Sequence, residues 1–471
     1  MRKTKIICTI GPAVDNDESI RALIRGGMNG ARFNFSHGTH ESHRATFDRL
    51  DRARRELGIP VAAILDTKGP EIRVKKFADG GVELVKDAEF ILCAEDVEGS
   101  AERVSVTYPN LAAELQVGNR ILLDDGLIEL TVIGFSGTET ICRVVTGGYL
   151  SNNKSVTIPD VHIALPAVTE RDAADLRLGA ELGFDWVAAS FIRNAEDVAS
   201  VRRVLIESGA PDIRIIAKVE NREGLNNLEE ILDSADAVMV ARGDLGVEIP
   251  ACEVPVAQKR MVEGAVKRGK PVIIATQMLD SIIRNPRPTR AEVSDVANAI
   301  FEDASCVMLS GETASGKYPF EALGTMVETI EAAEASVLLW DRFRRRVYSG
   351  NDSINEAITH ACCTTAQDLA ASAIATMTLS GHTARMIARF RPGCPILAIT
   401  PNERVQRQLS ICWGIQSFPS KHTENTDELL QRAADVARES GAATMGDTVV
   451  ITAGIPLGET PSTNLIKAQV I

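Results

Sequence analysis

The chain has 471 residues, 45% of them hydrophobic and 24% charged, which is too long for one core and ordinary for a folded, multidomain protein. A formal net charge of −13 counts against binding to nucleic acid, and no apolar run approaches the roughly 18–20 residues of a membrane span. The nine cysteines include no C-x-x-C pair, and Cys8, Cys93, Cys142, Cys306 and Cys394 lie in or beside apolar runs, the pattern of buried thiols in a reducing cytoplasm.

The first ten residues carry three basic side chains but only a short apolar stretch before Gly11-Pro12, which fits a strand over 5–9 better than a signal peptide. Similar apolar runs follow at 30–34, 61–65, 186–190, 214–218, 237–241, 272–276 and 306–310, making eight. Runs of this kind predict strands covered on both faces, as in parallel sheets. Segments 17–26, 40–57, 170–182 and 194–208 carry the helical period between them. Eight βα units predict an α/β fold closed into a (β/α)8 TIM barrel.

Well over a hundred residues separate the third run from the fourth. The insert, 70–168, alternates Val, Ile, Leu and Thr, with turn signals at Asp79-Gly80-Gly81, Asp125-Gly126 and Gly147-Gly148. It predicts a small β-barrel domain set into a barrel loop. Beyond residue 346 the pattern predicts a helix over 358–372, a strand over 373–378, a helix over 382–390 and a strand over 395–400. A helix over 426–440 and strands over 449–452 and 465–471 complete a three-layer α/β domain. The expected domains are 1–69 with 169–345, then 70–168, then 346–471.

In such a barrel the working residues sit at the C-terminal strand ends. There the sequence places Arg32, Asn34 and Ser36; Asp66, Thr67 and Lys68; Lys218 and Glu220; Arg242, Gly243 and Asp244; Thr276; and Glu312. Lys218 and Glu220, two apart on an extended chain, point to the same side. Glu220 and Asp244 can share a hard divalent cation such as Mg2+ or Mn2+; the alternative is a structural ion pair between Lys218 and Glu220. Asp244 lies in Ala-Arg-Gly-Asp-Leu-Gly, a tight loop entering a helix, which offers backbone N–H groups to an anion. The sequence GETASGK at 311–317 has P-loop spacing, but Tyr318 stands where a metal-binding Ser or Thr belongs.

The segments TKIICTIGP (4–12), MNGARFNFSHG (28–38), DTKGPEIR (66–73), KVENREG (218–224) and MVARGDLGVEIP (239–250) closely resemble one family, pyruvate kinase. ATQMLDS (275–281), NPRPTRAE (285–292), DVANAI (295–300) and MLSGET (308–313) extend the likeness. It covers the barrel almost throughout, the insert moderately and the C-terminal part weakly. The resemblance implies transfer of a phosphoryl group from phosphoenolpyruvate to ADP, giving pyruvate and ATP. Lys218, Arg32 and Thr276 would be catalytic, with Arg32 and Lys218 on the phosphoryl group. Gly243, Asp244 and Thr276 would meet the carboxylate end of the substrate, and Glu220 and Asp244 would hold Mg2+. Asn34, Ser36, Asp66 and Thr67 look like the family's K+ site. Asn34, Phe35, Ser36, His37, Arg73 and Lys154 would contact the nucleotide. Glu71 stands where family members that work without K+ tend to carry lysine, which implies K+ dependence.

Lys154 makes the insert a lid, with Pro70 and Pro166 near its two connections. Ser155 and Thr157 replace the family's usual Gly and Asn, and Arg171 replaces a common lysine, which implies altered closure rather than lost activity. Thr378-Leu379-Ser380-Gly381-His382-Thr383 is a hydroxyl-rich turn at a helix start. Either it is capped by Ser380 or Thr383, or Thr378, Ser380, Gly381 and Thr383 hold the phosphate of an allosteric effector, as the family likeness implies. The stretch 454–464 departs from a fructose bisphosphate pattern. The likeness further implies a cytoplasmic homotetramer. Two other classes stay open: a barrel lyase or aldolase using Lys218, Glu220 and Asp244 on a pyruvate enolate, and a non-catalytic sensor of sugar phosphates.

Overall fold

The computed structural model describes residues 2–345, 353–421, 425–455 and 463–471. The strands β1 (Lys5–Thr9), β2 (Gly30–Asn34), β3 (Ala62–Asp66) and β4 (Trp186–Ala189) are followed by β5 (Arg214–Val219), β6 (Ala237–Ala241), β7 (Val272–Ala275) and β8 (Cys306–Leu309). All neighbours are parallel, and β8 pairs with β1 to close the barrel, as the eight apolar runs predict.

Period-two side-chain alternation explains why the runs are apolar throughout. Ile7, Ile64, Trp186, Ala188, Ile216, Met239, Ile273 and Met308 fill the barrel interior. Their neighbours Ile6, Cys8, Phe33, Leu65, Val187, Ile215, Val240 and Ile274 pack beneath the outer helices. Those helices start on side-chain caps: Asn16, Thr39, Thr169, Asn194 and Thr289 each accept a backbone N–H from the first turn.

The segment between β3 and β4 builds its own apolar core from residues such as Val74, Phe90, Ile121, Leu130 and Leu150. A six-stranded and a two-stranded sheet surround it. The hairpin joining Arg120–Leu123 to Ile128–Ser136 turns through Asp124, Asp125 and Gly126, all at positive φ, where the Asp-Gly signal lies. A one-turn helix, Leu111–Glu114, interrupts the strands. The chain returning to the barrel is strapped down. Arg193 Nη1 donates to the Ile163 carbonyl at 3.0 Å and Nη2 to the Leu165 carbonyl at 2.9 Å. Arg222 reaches Asp160 at 3.4 Å, and His162 meets Glu223 at 2.8 Å.

Beyond the barrel, β9 (Ala373–Met377), β10 (Ile396–Thr400), β11 (Ile415–Pro419), β12 (Thr448–Ala453) and β13 (Leu465–Val470) form a sheet in the order 11-10-9-12-13. Ile374, Ile396 and Val450 pack on one face, and Ala375, Leu397 and Ile451 on the other, which gives the three layers. The sequence pattern missed β11 and the helix Glu403–Leu409 before it. In β11 only Ile415 is buried, so this edge strand has no apolar run to read. The helix predicted over 382–390 ends at Ala388.

This domain docks on the end of the barrel where the strands begin. Asp185, fully buried ahead of β4, accepts from Arg54 Nη1 at 3.2 Å and Arg407 Nε at 2.9 Å. Arg214 Nε donates to Gln408 Oε1 at 3.0 Å, and Lys5 Nζ to the Ile415 carbonyl at 2.7 Å. Ile411 enters the interior cluster of the barrel and closes its floor. The nine cysteines are all free, and Cys8, Cys93, Cys142, Cys306 and Cys394 are buried as expected. No described helix is long and apolar enough to cross a membrane.

Candidate active site

At the other end of the barrel the inward rows of side chains turn polar. Two positions beyond Ile7 comes Thr9; beyond Gly30, Arg32; beyond Ile64, Asp66; beyond Ala188, Ser190; beyond Ile216, Lys218 and then Glu220. The alternation that fills the interior therefore aims all of them at one space.

They converge there. Lys218 Nζ donates to Ser190 Oγ at 2.6 Å and lies 2.9 Å from Glu220 Oε1 and 3.2 Å from Asp66 Oδ1. Arg32 Nε donates to Asp66 Oδ2 at 2.5 Å, and Arg32 Nη1 to Thr9 Oγ1 at 3.1 Å. Asp66 thus joins the two cations. Ser190 Oγ in turn donates to the Thr67 carbonyl at 2.7 Å, and the Ser190 N–H donates to Thr67 Oγ1 at 3.1 Å. Gly69, at φ 73°, makes the turn beside them; a Cβ there would stand 2.8 Å from the Ser190 Cβ.

Burial sharpens the electrostatics. Burial opposes ionisation of Asp66, but Arg32 and Lys218 outweigh it and hold the carboxyl below its usual range. Burial likewise opposes charge on Lys218, yet Asp66, Glu220 and Asp244 raise its pKa above the ordinary value, so it stays an ammonium. Glu220 is pushed up to about 8 by burial, against Lys218, with Asp244 adding to the rise.

The donor set fits a divalent cation. Glu220 Oε2 accepts the Phe191 N–H at 2.7 Å. Its buried Oε1 lies 2.9 Å from the Lys218 ammonium without an aligned hydrogen bond, which leaves this oxygen with acceptor capacity to spare. No group of three or more His, Cys, Asp or Glu side chains suited to a metal occurs among the described residues. Glu220 and Asp244 are the two carboxylates of the site that could hold a divalent cation, as the sequence suggests.

The ends of β6 and β7 form the adjoining wall. The Gly243 N–H donates to Thr276 Oγ1 at 2.8 Å, and Thr276 Oγ1 donates to the Ala275 carbonyl at 2.6 Å. Thr276 and Gln277 both have positive φ, 69° and 54°, strained for a β-branched residue above all. Arg242 holds the turn: Nη2 donates to the Thr276 carbonyl at 2.8 Å, while Nη1 donates to Asp295 at 2.8 Å. Glu312, also named from the sequence, is structural; its carboxylate accepts the Leu279 and Ser310 N–H groups at 3.0 and 2.7 Å.

Asn34 pairs in register with Asp66, next to Thr67. Asn34 Oδ1 accepts the Ser36 N–H at 3.1 Å, and the His37 N–H donates to the Asn34 carbonyl at 3.3 Å. The Phe35 ring is buried and stacks on His43 at 3.9 Å, leaving its backbone to face the rim. Arg73 and Lys154 meet on the insert, where the Val74 N–H donates to the Lys154 carbonyl at 2.9 Å. Arg73 pairs with Glu71 at 2.8 Å and Lys154 with Asp124 at 2.7 Å, so both cations are held by carboxylates outside the barrel rim.

Thr378, Ser380, Gly381 and Thr383 lie at the opposite end of the barrel, where Arg214 Nη2 donates to the Ser380 carbonyl at 2.9 Å. Thr378 Oγ1 accepts the Gly381 N–H at 2.9 Å, and the Thr383 and Thr463 hydroxyls share a bond of 2.5 Å. These contacts shape the turn. Most of 454–464 falls outside the described residues. Sequence reasoning passed over Thr9 and Ser190; strand parity, applied to β1 and β4 as to the others, was the signal for both.

Comparison with known proteins agrees with this fold. Residues 1–323 match the family described as pyruvate kinase, barrel domain, and residues 356–469 match pyruvate kinase, alpha/beta domain. A pyruvate kinase of Geobacillus stearothermophilus is 49% identical over 472 residues, covering all of this chain and 80% of the relative. Pyruvate kinases of Staphylococcus aureus strain MRSA252 (49% identical, all of this chain, 81% of the relative) and Clostridium acetobutylicum (46%, all of both chains) are similar throughout. The chain is an enzyme, a phosphotransferase, and belongs to the pyruvate kinase family.

Proposed function

We propose that this chain transfers the phosphoryl group of phosphoenolpyruvate to ADP, the last step of glycolysis, in the cytoplasm. The observation that carries the reading is Lys218: an ammonium fixed by Ser190, Glu220 and Asp66 at the barrel mouth, with Arg32 on the same Asp66. In the transfer, a β-phosphate oxygen of ADP forms a bond to phosphorus while the bond from phosphorus to the enol oxygen breaks. The enolate then takes a proton at carbon and becomes pyruvate. Such a transition state asks for positioning and fixed positive charge rather than covalent chemistry. Arg32 and Lys218 supply that charge. Asp66 sets their spacing, and the Gly243–Thr276 wall orients the carboxylate end of the substrate.

Glu220 and Asp244 would hold Mg2+ or Mn2+, which supplies further positive charge to the substrate oxygens when bound. Asn34, Ser36, Asp66 and Thr67, an all-oxygen donor set, suit K+. Asn34, Phe35, Ser36 and His37 would receive the nucleotide from the barrel side. Arg73 and Lys154 would reach it from the insert, whose closure as a lid excludes water. For Lys154 this means leaving or sharing Asp124. A phosphorylated effector at 378–383 and a homotetramer belong to the same reading, supported by family likeness.

A lactate dehydrogenase-coupled assay with phosphoenolpyruvate, ADP and Mg2+ tests it, run with K+ and with tetramethylammonium in its place. Pyruvate formation that needs K+ is expected. Activity indifferent to K+ would sink the cation site and the inference from Glu71, and no pyruvate under either condition would sink the whole reading.

A further inference from the structure

The rim loop 34–37 has no strand partner for most of its carbonyls; side chains from two outer helices hold them instead. Arg171 Nη2 donates to the Phe35 carbonyl at 2.8 Å and lies 3.4 Å from the Ser36 carbonyl. His43 Nε2 is 2.8 Å from the His37 carbonyl. Arg171 belongs to the helix Glu170–Leu182 and His43 to the helix His40–Leu57. Two ion pairs join these helices: exposed Arg44 Nη2 meets Glu181 Oε1 at 2.8 Å, and buried Asp175 meets His40. Asp175 is 2% exposed, and its Oδ1 lies 2.6 Å from His40 Nε2. Its Oδ2 is buried with no hydrogen-bond partner and stands 4.0 Å from Arg171 Nε.

A buried carboxylate with one oxygen unsatisfied is costly unless it serves something. Here it faces Arg171, which holds the loop, and His40, which lies three residues before the other loop-holding side chain, His43. His40 opens the helix that carries His43; Arg171 grips the loop directly. The same helix also anchors the entrance to the insert, since Asp172 Oδ1 accepts the Gly69 N–H at 3.0 Å.

We propose that Asp175, with Arg171 and His40, is a positioning cluster that sets the shape of the 34–37 loop and so tunes nucleotide and K+ affinity from outside the barrel. This rests on the reading of that loop as the nucleotide and K+ site. Asp175 touches no reacting atom. It acts by orienting Arg171 and His40, as an outer shell orients the ligands of a site.

The test uses the full-length enzyme and three variants, Asp175→Asn, Arg171→Ala and Arg171→Lys, with ADP, K+ and phosphoenolpyruvate each titrated separately. Asp175→Asn and Arg171→Ala should raise KM for ADP and half-saturating K+ roughly tenfold. KM for phosphoenolpyruvate and Tm should move far less. Arg171→Lys keeps a donor for the Phe35 carbonyl and should recover most of the loss. Should Asp175→Asn fail to fold, half-exposed Arg171 carries the test alone. Unmoved ADP and K+ constants in a folded variant, or a parallel rise in all three constants, would overturn the proposal. A wild-type enzyme that ignores K+ or turns over no ADP would overturn the reading of the loop as well. The wild-type control therefore tells the two failures apart.

Discussion

At the barrel mouth, Lys218 is constrained by charge and by a hydroxyl, and these can be removed separately. In the proposed transfer Lys218→Ala deletes a cation that would meet the phosphoryl group in flight; removing one such stabiliser costs about 10²–10³ in kcat. It also leaves Asp66 and Glu220 buried with less counter-charge. Ser190→Ala leaves all the charges in place but frees the ammonium from a 2.6 Å contact. Its kcat should fall by about tenfold, the scale of an orienting contact rather than of a charge. Steady-state kinetics checks both, and a Ser190→Ala enzyme as slow as Lys218→Ala would show that the hydroxyl does more than orient. Thr276 presents a different economy of strain. Its positive φ survives because Arg242 fixes the carbonyl and Asp295 fixes Arg242.

Among the elements, the return segment of the insert is held by a few named ties and has the clearest test. Arg193 provides two of its hydrogen bonds to the barrel, each from a charged donor and worth about 1.5 kcal/mol or more. Losing both, Arg193→Ala should therefore raise the undocked population roughly a hundredfold or more. Faster limited proteolysis between 158 and 168 would register it, together with a higher KM for ADP; unchanged cleavage would mean that Arg222 and His162 suffice. Much of this architecture was legible beforehand because buried parallel strands are apolar on both faces, and most of the barrel strands are. The Asp-Gly turn of the insert was legible for an equally local reason. What could not be read depends on partners distant in sequence. Edge strand β11 has a mixed pattern, and Asp175 looks like any helix-surface carboxylate until its burial is known. Lys218 and Glu220 were readable as a pair, whereas the role of Asp66 in joining Lys218 to Arg32 needed the barrel to be closed.

For the molecule as a whole, the junction between barrel and C-terminal domain is polar yet deeply buried. Burial, with help from Arg2, pulls the pKa of Lys5 down from 10.5 to about 8. The unfolded chain holds that proton up to its higher pKa, so between about pH 8 and 10.5 unfolding takes up protons and folding stability rises with pH. The gain is complete above 10.5, is lost as pH falls through about 8, and amounts to about 3 kcal/mol at most. Thermal unfolding of Lys5→Met against the parent over that range should show the parent gaining relative to the variant. A constant difference would mean that Lys5 titrates normally. Ile411 has a further consequence, for synthesis. The floor of the barrel is completed by a side chain about a hundred residues downstream of β8. While the ribosome is still making β9 to β10, all eight strands are already available, but the cylinder is open at its base. A nascent chain at that stage exposes apolar surface that the finished protein never shows, and it must be sheltered until residue 411 emerges.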